Sequence, residues 1–231
     1  MRETVSFGRP HCAEKRKMYA AVILLVFMCL TATTHADHHH HPCHSPNMTG
    51  FMTVMNLKGE VRAIGAFTYD STAKKLRFRS NDSTPINTSL HLDLLVFFEE
   101  GILYEIDSKN QSCEKKKLQC NLHPLDIPDD ATFMSTMTFG NPSVEGEGIK
   151  LNLWTGSMAD TKGKYTMSAT MGCLPLSALY YTGSTTFFVS HVDIESEIKD
   201  PELLLVPSFC QGLPVEVTPE GTVNSFLSEF M

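Results

Sequence analysis

Short segments in which apolar and polar residues alternate recur along this chain and constrain its fold more than any other feature. In one of them, Val61, Ala63, Phe67 and Tyr69 fall on one face, and the other face has mostly polar or small residues together with Ile64. A period of two is typical of strands with one buried face. The segments are 61–69, 75–79, 149–154 and 165–171. Turn-forming residues separate them, so the pattern predicts a mainly β fold with two antiparallel sheets in a sandwich or half-open barrel.

Two further segments are apolar on both faces. Residues 92–98 read LDLLVFF, and residues 185–189 read TTFFV. A strand of this kind has to be covered on both sides. The cover is a helix, the second sheet or a bound apolar ligand.

One or two short helices are expected beside the strands. Pro128 followed by Asp129 and Asp130 is typical of a first helical turn, where acidic residues are favoured. This helix would end near residues 140–142, and a second would occupy residues 194–198.

The N-terminal 36 residues have the features of a secretory leader. Lys15, Arg16 and Lys17 precede the apolar run 18–30, and Ala36 supplies a small residue at the expected cleavage position. The run is too short to cross about 30 Å of hydrocarbon as a helix. We therefore expect residues 1–36 to be removed, with translation starting at Met1 or Met18. The product would be secreted, with the lysosome as the alternative destination, and no later stretch is apolar and long enough to span a membrane.

The cysteines fit an oxidising compartment. The chain has seven, and two of them lie in the predicted leader. The remaining five are Cys43, Cys113, Cys120, Cys173 and Cys210. Such residues form disulfides after export, and an odd number leaves one thiol free or paired with another chain. None has Cys-x-x-Cys spacing, so a structural zinc site or a thioredoxin-type motif is not indicated.

Charge and motifs exclude several classes of function. The chain has 26 acidic and 19 basic residues and a net charge of −7, which disfavours binding to nucleic acid. It contains no nucleophile elbow, zinc-protease, Walker or dinucleotide-binding motif. Ser190 and His191 point to opposite faces of a strand, so they cannot belong to one catalytic triad. We therefore expect a protein that is not an enzyme.

Four sequons predict N-glycosylation in predicted loops or flanks. Their asparagines are Asn47, Asn81, Asn87 and Asn110. The histidine tract at 38–41 is a weak metal-binding candidate at most, because a site needs ligands of fixed geometry. No EF-hand loop is present, so calcium remains a cofactor candidate whose ligands the sequence does not identify.

An apolar binding site is favoured by 14 Phe and 12 Met residues, since methionine adapts to irregular apolar sites. The two-faced strands and the single tryptophan indicate where it would lie. The predicted lining residues are Phe67, Leu95, Phe97, Trp154 and Phe187.

Several longer motifs resemble the ependymin family. They are DLLVFFEEGILYEIDSKNQSC at 93–113, LQCNLHPLDIPDDA at 118–131, GCLPLS at 172–177, and the segment from Asp200-Pro201 to Phe209-Cys210. They follow one another at the family's spacing from about Cys43 to Cys210. The resemblance implies an ependymin-like β domain over 49–211. The polar, His-rich composition of residues 37–48 predicts a mobile segment before this domain, and residues 212–231 form a tail after it.

The resemblance also implies a fold similar to bacterial lipoprotein carriers, with a deep apolar pocket and a homodimeric assembly. It implies disulfides between Cys43 and Cys173 and between Cys113 and Cys210. Cys120 lies outside this scheme and is a candidate for an inter-chain bridge or a free thiol.

Together with these features, the resemblance, which implies calcium binding, cell–matrix adhesion and a role in neural plasticity, leads to one functional hypothesis and one alternative. The first is a secreted glycoprotein that binds lipids or other apolar molecules in a pocket, binds calcium and acts in the extracellular matrix. The alternative is a calcium-dependent glycoprotein of cell–matrix adhesion and neural plasticity that has no ligand cavity.

Overall fold

The computed structural model describes residues 41–80, 92–118, 125–158, 163–181 and 186–216. These residues form eleven strands and two short 3-10 helices. The strands are β1 (Met48–Asn56), β2 (Val61–Asp70), β3 (Lys75–Ser80), β4 (Asp93–Phe97), β5 (Ile102–Asp107), β6 (Ser112–Lys117), β7 (Thr132–Gly140), β8 (Gly148–Met158), β9 (Gly163–Thr170), β10 (Pro175–Tyr181) and β11 (Thr186–Glu195). The 3-10 helices are Pro201–Leu204 and Ser208–Cys210. Within these ranges, no helix is long and apolar enough to cross a membrane. The predicted leader at 1–36 lies outside them.

All eleven strands belong to one antiparallel sheet, in the order β6-β5-β4-β3-β2-β1-β11-β10-β9-β8-β7. Strands β1 to β6 form one meander and β7 to β11 another, and the pairing of β1 with β11 joins them. The sheet is not closed, since β6 and β7 lie at its two ends. The predicted mainly β, antiparallel and half-open architecture is therefore confirmed. The two expected sheets are two halves of one continuous ladder.

The sheet has an inner face, which we define as the face carrying the larger of two buried clusters. This cluster includes Phe67 of β2, Phe78 of β3, Tyr165 of β9 and Phe187 of β11. Residues directly opposite each other in antiparallel strands share a face, so the period-two pattern of each strand is carried across the ladder. The inner-face cluster draws residues from nine strands, all except β6 and β7.

Strand β4 is buried on both faces, and its outer face is covered by the C-terminal segment of the described chain. Leu95 and Phe97 pack there against Leu204 and Cys210. Protein therefore supplies the cover that the two-faced pattern of β4 requires on this side, and a ligand is not needed there.

Two disulfides fix segments outside the strands. Cys43–Cys173 joins the residues before β1 to the turn between β9 and β10, with Cα atoms 5.9 Å apart. Cys113–Cys210 joins β6 to the second 3-10 helix, with Cα atoms 5.4 Å apart. Both separations are ordinary for disulfides. The pairs are those that the family resemblance implies, and Cys120 lies outside the described residues.

The expectation that the whole segment 37–48 is mobile is wrong for its second half. Cys43 is in a disulfide, and Ser45 is buried. The Ser45 hydroxyl lies 2.5 Å from the carbonyl oxygen of Leu125 and 3.0 Å from that of Cys173. These contacts fix the chain before β1 against segment 125–131, so the folded domain begins before residue 49.

The prediction of one or two short helices is confirmed, but both predicted positions are wrong, since the helices are Pro201–Leu204 and Ser208–Cys210. Residues 128–131 form a turn, closed by a 2.9 Å hydrogen bond from the Ala131 amide to the Pro128 carbonyl, and residues 132–140 form β7. Pro-Asp-Asp is as suitable for a turn as for a first helical turn. The following TFMSTMTFG is rich in threonine and phenylalanine, which favour strands. Residues 194–195 end β11, and the chain then bends without forming a helix.

Candidate ligand-binding face

The inner face is lined mainly by aromatic, methionine and aliphatic side chains. Trp154 on β8 contacts Phe133 on β7 edge to face, with ring centroids 5.3 Å apart. Phe67 on β2 meets His191 on β11 edge to face at 5.7 Å. Leu125 and Ile127 of segment 125–131 join the same buried cluster. The strands and segment 125–131 thus contribute to one buried apolar cluster on this face.

The five predicted lining residues do not share one surface. Phe67, Trp154 and Phe187 lie on the inner face. Leu95 and Phe97 lie on the outer face of β4, among the residues that contact the C-terminal segment. The prediction of one lining set is therefore wrong for these two, because a strand that is apolar on both faces gives no indication of which residues face which side.

Trp154 and Tyr165 carry buried polar atoms without hydrogen-bond partners. These atoms are the indole nitrogen Nε1 of Trp154 and the hydroxyl oxygen of Tyr165. Tyr165 is directly opposite Gly156 in the pairing of β9 with β8. Its ring occupies the space where a Cβ atom of residue 156 would lie, so only glycine permits this position. Burial, followed by the nearby negative charge of Asp130, raises the pKa of Tyr165 to about 12, and the phenol stays protonated.

His191 is the third polar side chain on this face. It is buried on β11 opposite Met52 of β1, beside the register irregularity between Pro175 and Ser177 of β10. Burial lowers its pKa to about 4, and the backbone of Leu176 opposes this only weakly. Neither ring nitrogen makes a well-formed hydrogen bond. The imidazole is therefore neutral at physiological pH.

A buried carboxylate fixes one end of the inner face. Asp126 accepts hydrogen bonds from the Ser45 amide at 2.8 Å, the Tyr69 hydroxyl at 3.1 Å and the Lys74 ammonium at 2.9 Å. Burial by itself would raise the pKa of Asp126, but these bonds, led by that from Lys74, hold it below its usual value. His44 Nδ1 lies 3.7 Å from the same carboxylate. This network orders the covering segment and does not require a ligand.

Two clefts lie away from the predicted lining residues. One, of about 240 Å³, is on the outer face between Phe51, Arg77, Arg79 and Leu203. The other, of about 340 Å³, lies at the ends of β4, β5 and β6 and is acidic. Its carboxylates belong to Asp93, Glu105, Asp107 and Glu114.

The carboxylates of the acidic cleft already have partners. Arg77 donates two hydrogen bonds to Asp93, at 2.7 and 2.9 Å. The Lys116 ammonium lies 2.8 Å from Glu105 and 2.7 Å from Glu114. Among the residues that the structure describes, no group of three or more His, Cys, Asp and Glu side chains is arranged to hold a metal ion. Most of the histidine tract falls outside those residues.

The two described sequons differ in environment. Asn110 is exposed in the turn between β5 and β6, where its side-chain nitrogen Nδ2 donates a hydrogen bond to the Asp107 carboxylate at 2.7 Å. Asn47 is half-buried, and its side-chain oxygen accepts bonds from the Ser71 amide and hydroxyl, both at 2.8 Å. Asn81 and Asn87 lie outside the described residues.

Sequence reasoning missed Tyr165, His191 and Asp126. Tyr165 and His191 occupy inner-face positions of their strands, which the period-two pattern could have indicated for Tyr165. No local pattern indicates that a buried polar group lacks a partner, because this depends on side chains from other strands.

Comparison with known proteins identifies close relatives. A family model described as Ependymin matches residues 86–210. Ependymin-1 of Oncorhynchus mykiss is 45% identical over 216 residues, which cover 92% of this chain and 97% of the relative. Ependymin of Esox lucius is 46% identical over 220 residues, with the same two coverages. Among solved structures, an uncharacterized conserved protein from Thermus thermophilus covers 72% of this chain and 89% of its own at 10% identity, with a TM-score of 0.45.

Proposed function

Because this chain belongs to the ependymin family, we propose that it is a secreted glycoprotein that binds an apolar ligand on the inner face of its sheet. The leader expected at 1–36 and the two long-range disulfides support export into an oxidising compartment. The protein acts by binding and not by catalysis. In this proposal the mature chain consists of the His-rich segment at 37–48, the β domain at 49–211 and the tail at 212–231.

The observation that carries the proposal is the apolar inner face of a sheet that does not close. Apolar side chains from nine strands form one cluster there, and segment 125–131 adds Leu125, Ile127 and the partly buried Ala131. Binding sites for small molecules are commonly concave and apolar, with a few polar groups among the apolar ones. The inner face has this composition.

A variant that fills the inner face tests the proposal. Ala178 is buried on β10, between Met167 of β9 and Val189 of β11. If the face borders a ligand site, Ala178→Phe should fill it and lower lipid uptake at least about tenfold, with a stability loss of less than about 1 kcal/mol. Uptake of radiolabelled hexadecane by the delipidated protein measures binding, and urea denaturation measures stability.

Leu179→Phe is the matched control, because the same strand presents residue 179 on the outer face, where Leu179 is 39% exposed. This variant should take up the probe as the wild type does. Two results would reject the proposal: a wild-type protein that takes up no hexadecane, or an Ala178→Phe variant destabilised by about 1–3 kcal/mol, as in a closely packed core.

Glycosylation is proposed at Asn110. Its exposed position in a turn suits modification, and Asn110→Gln should lower the mass of the secreted protein by one N-glycan. Mass spectrometry before and after enzymatic removal of N-glycans measures this. Asn47→Gln serves as the comparison, since Asn47 is half-buried and bonded to Ser71. An unchanged mass for Asn110→Gln would show that this sequon is not used.

The alternative is a calcium-dependent adhesion glycoprotein that works through its surface and glycans in the extracellular matrix. The acidic cleft at the ends of β4, β5 and β6 supports it, although its carboxylates already have partners. Calcium titration monitored by circular dichroism, before and after removal of N-glycans, separates it from the first proposal. In either case we propose a homodimer. Exposed Met137 and Phe139 at the end strand β7 and Ile149 on β8 support this assembly.

A further inference from the structure

We propose that the ligand of the inner face is a neutral lipid whose acceptor oxygen, as in an ester or ketone, binds between the indole N–H of Trp154 and the hydroxyl of Tyr165. This inference rests on the proposed function and specifies the chemistry of the ligand. It goes beyond apolar recognition, because it assigns a polar end to the bound molecule.

The two donors come from neighbouring strands on the same face. Trp154 and Gly156 are successive inner-face residues of β8, so their Cα atoms are about 7 Å apart along the strand. The Tyr165 ring extends from β9 across Gly156, which brings its hydroxyl over β8. The Tyr165 hydroxyl therefore lies over β8 at Gly156, and the Trp154 side chain leaves the same face of the same strand two residues away.

A purely structural role would leave both groups energetically unfavourable. The indole N–H can only donate, and a buried donor without an acceptor costs about 1–3 kcal/mol. Trp154 and Tyr165 are 1% and 2% exposed, so bulk water does not reach them. Phenylalanine would supply similar apolar surface at either position without this cost. An acceptor delivered by a ligand removes the cost at both positions together.

The local charges favour a neutral acceptor over a carboxylate or phosphate. The charge that acts on the Tyr165 hydroxyl is the negative charge of Asp130. His191, the titratable group on β11, is neutral at physiological pH. A buried anion without a cationic partner is strongly disfavoured. An ester or ketone oxygen accepts hydrogen bonds without this electrostatic cost.

Three probes with matched chains test the proposal: methyl palmitate, palmitate and hexadecane, each delivered from cyclodextrin to the delipidated full-length protein. The chain has a single tryptophan, so indole emission reports directly on this site. Methyl palmitate should change the emission and bind about tenfold more tightly than palmitate, because burial of an unpaired charge is costly.

Two variants remove one donor each and keep an aromatic ring at the position, although Trp154→Phe also replaces the indole by a smaller ring. Tyr165→Phe and Trp154→Phe should each weaken methyl palmitate binding about fivefold, in line with the loss of one hydrogen bond. Radiolabelled probes measure binding for Trp154→Phe. Hexadecane should bind Tyr165→Phe as it binds the wild type, and the stability of the unliganded Tyr165→Phe variant in urea should be equal or higher. Trp154→Phe also loses buried volume, so its stability does not report on the donor. Met167→Leu, on the same face of β9, is the apolar control and should leave the preference between probes unchanged.

The outcomes separate this inference from the proposed function. If none of the three probes binds, the proposed function itself fails. If hexadecane binds but the loss of either donor leaves the affinity for methyl palmitate unchanged, the ligand is purely apolar and the inference is overturned. Tighter binding of palmitate than of methyl palmitate would contradict the proposal that the head group is neutral. A Tyr165→Phe variant that loses stability without any change between the probes would show that an internal water satisfies the donor, which would also overturn the inference.

Discussion

Replacing Cys43 and Cys173 together by serine should lower the free energy of unfolding by about 5 kcal/mol, because the disulfide closes a long loop. The two residues are 130 positions apart, and the other pair, Cys113 and Cys210, is 97 apart. A cross-link of this span restricts the unfolded chain, and its loss raises the entropy of that state. The second pair should contribute nearly as much.

These losses are large beside the roughly 5–15 kcal/mol that typically stabilises a domain. We therefore expect each double variant to be marginally stable and the variant without both disulfides to be unfolded or retained before secretion. Urea denaturation followed by circular dichroism measures the effect. Cys120→Ser is the control, since Cys120 belongs to neither pair, and its stability should equal that of the wild type. An unchanged denaturation midpoint after removal of either pair would contradict the prediction.

The protein should also lose about 3 kcal/mol of stability between pH 7 and pH 4 through a single side chain, His191. Burial lowers the pKa of His191 from the ordinary value of 6.5 to about 4. Below pH 6.5 the unfolded chain binds a proton at this residue, while the folded protein does not. The free energy of unfolding therefore decreases as the pH is lowered through this interval. It levels off below the folded pKa.

His191→Leu should abolish this part of the pH dependence. The variant should gain about 1 kcal/mol at pH 7, because a buried polar group without a good partner is replaced by an apolar one of similar size. Urea titrations at about pH 7, 5.5 and 4 measure the slope. His41→Gln, which removes an exposed histidine, controls for the loss of an imidazole. A wild type with equal stability at all three pH values would contradict the prediction.

Asp126 affects stability at lower pH than His191 does, so the contributions of the two residues to the pH dependence can be separated. Its folded pKa lies below the ordinary value, and the stability it contributes is present above that value and is lost as the pH falls through the folded pKa. Loss of stability between about pH 6.5 and 4 reports on His191, and further loss below about pH 4 reports on Asp126.

The strands were predictable because the alternation of buried and exposed residues is visible within each short segment of the sequence. Residues 61–69 and 75–79 alternate, and the structure has β2 at Val61–Asp70 and β3 at Lys75–Ser80. One face of each strand packs in the core while the other carries polar groups. The apolar and polar alternation in the sequence therefore indicates which residues are buried. The apolar segment at 92–98 was likewise recognisable as a strand, since β4 is buried on both faces.

The boundaries of β7 and β8 show where local reasoning fails. The Pro-Asp-Asp turn before β7 has the composition of a helix start, and only the pairing of β7 with β8 selects the strand. Glycine is typical of turns, yet Gly156 lies inside β8, where its missing side chain makes room for the Tyr165 ring. Both outcomes depend on neighbouring strands, which no short window contains.

The candidate site was predictable only in part, for the same reason. Phe67, Trp154 and Phe187 were recognisable as apolar positions, and the structure brings them to one face. Leu95 and Phe97 were not distinguishable from their neighbours on β4. The buried donors at Trp154 and Tyr165 emerge only from the full set of side chains around them.

The strand order has a consequence for how the chain reaches its native state. Apart from the seam between β1 and β11, every neighbouring pair is consecutive in the chain, so each hairpin can form from nearby residues at low entropic cost. We expect β1–β6 to condense first during synthesis and β7–β11 afterwards, with docking at the seam as the slow step. Because Cys43 and Cys173 come from opposite sides of that seam, their oxidation should hold the docked halves together, and in a reducing solution the halves should fail to stay docked and the chain should remain unfolded.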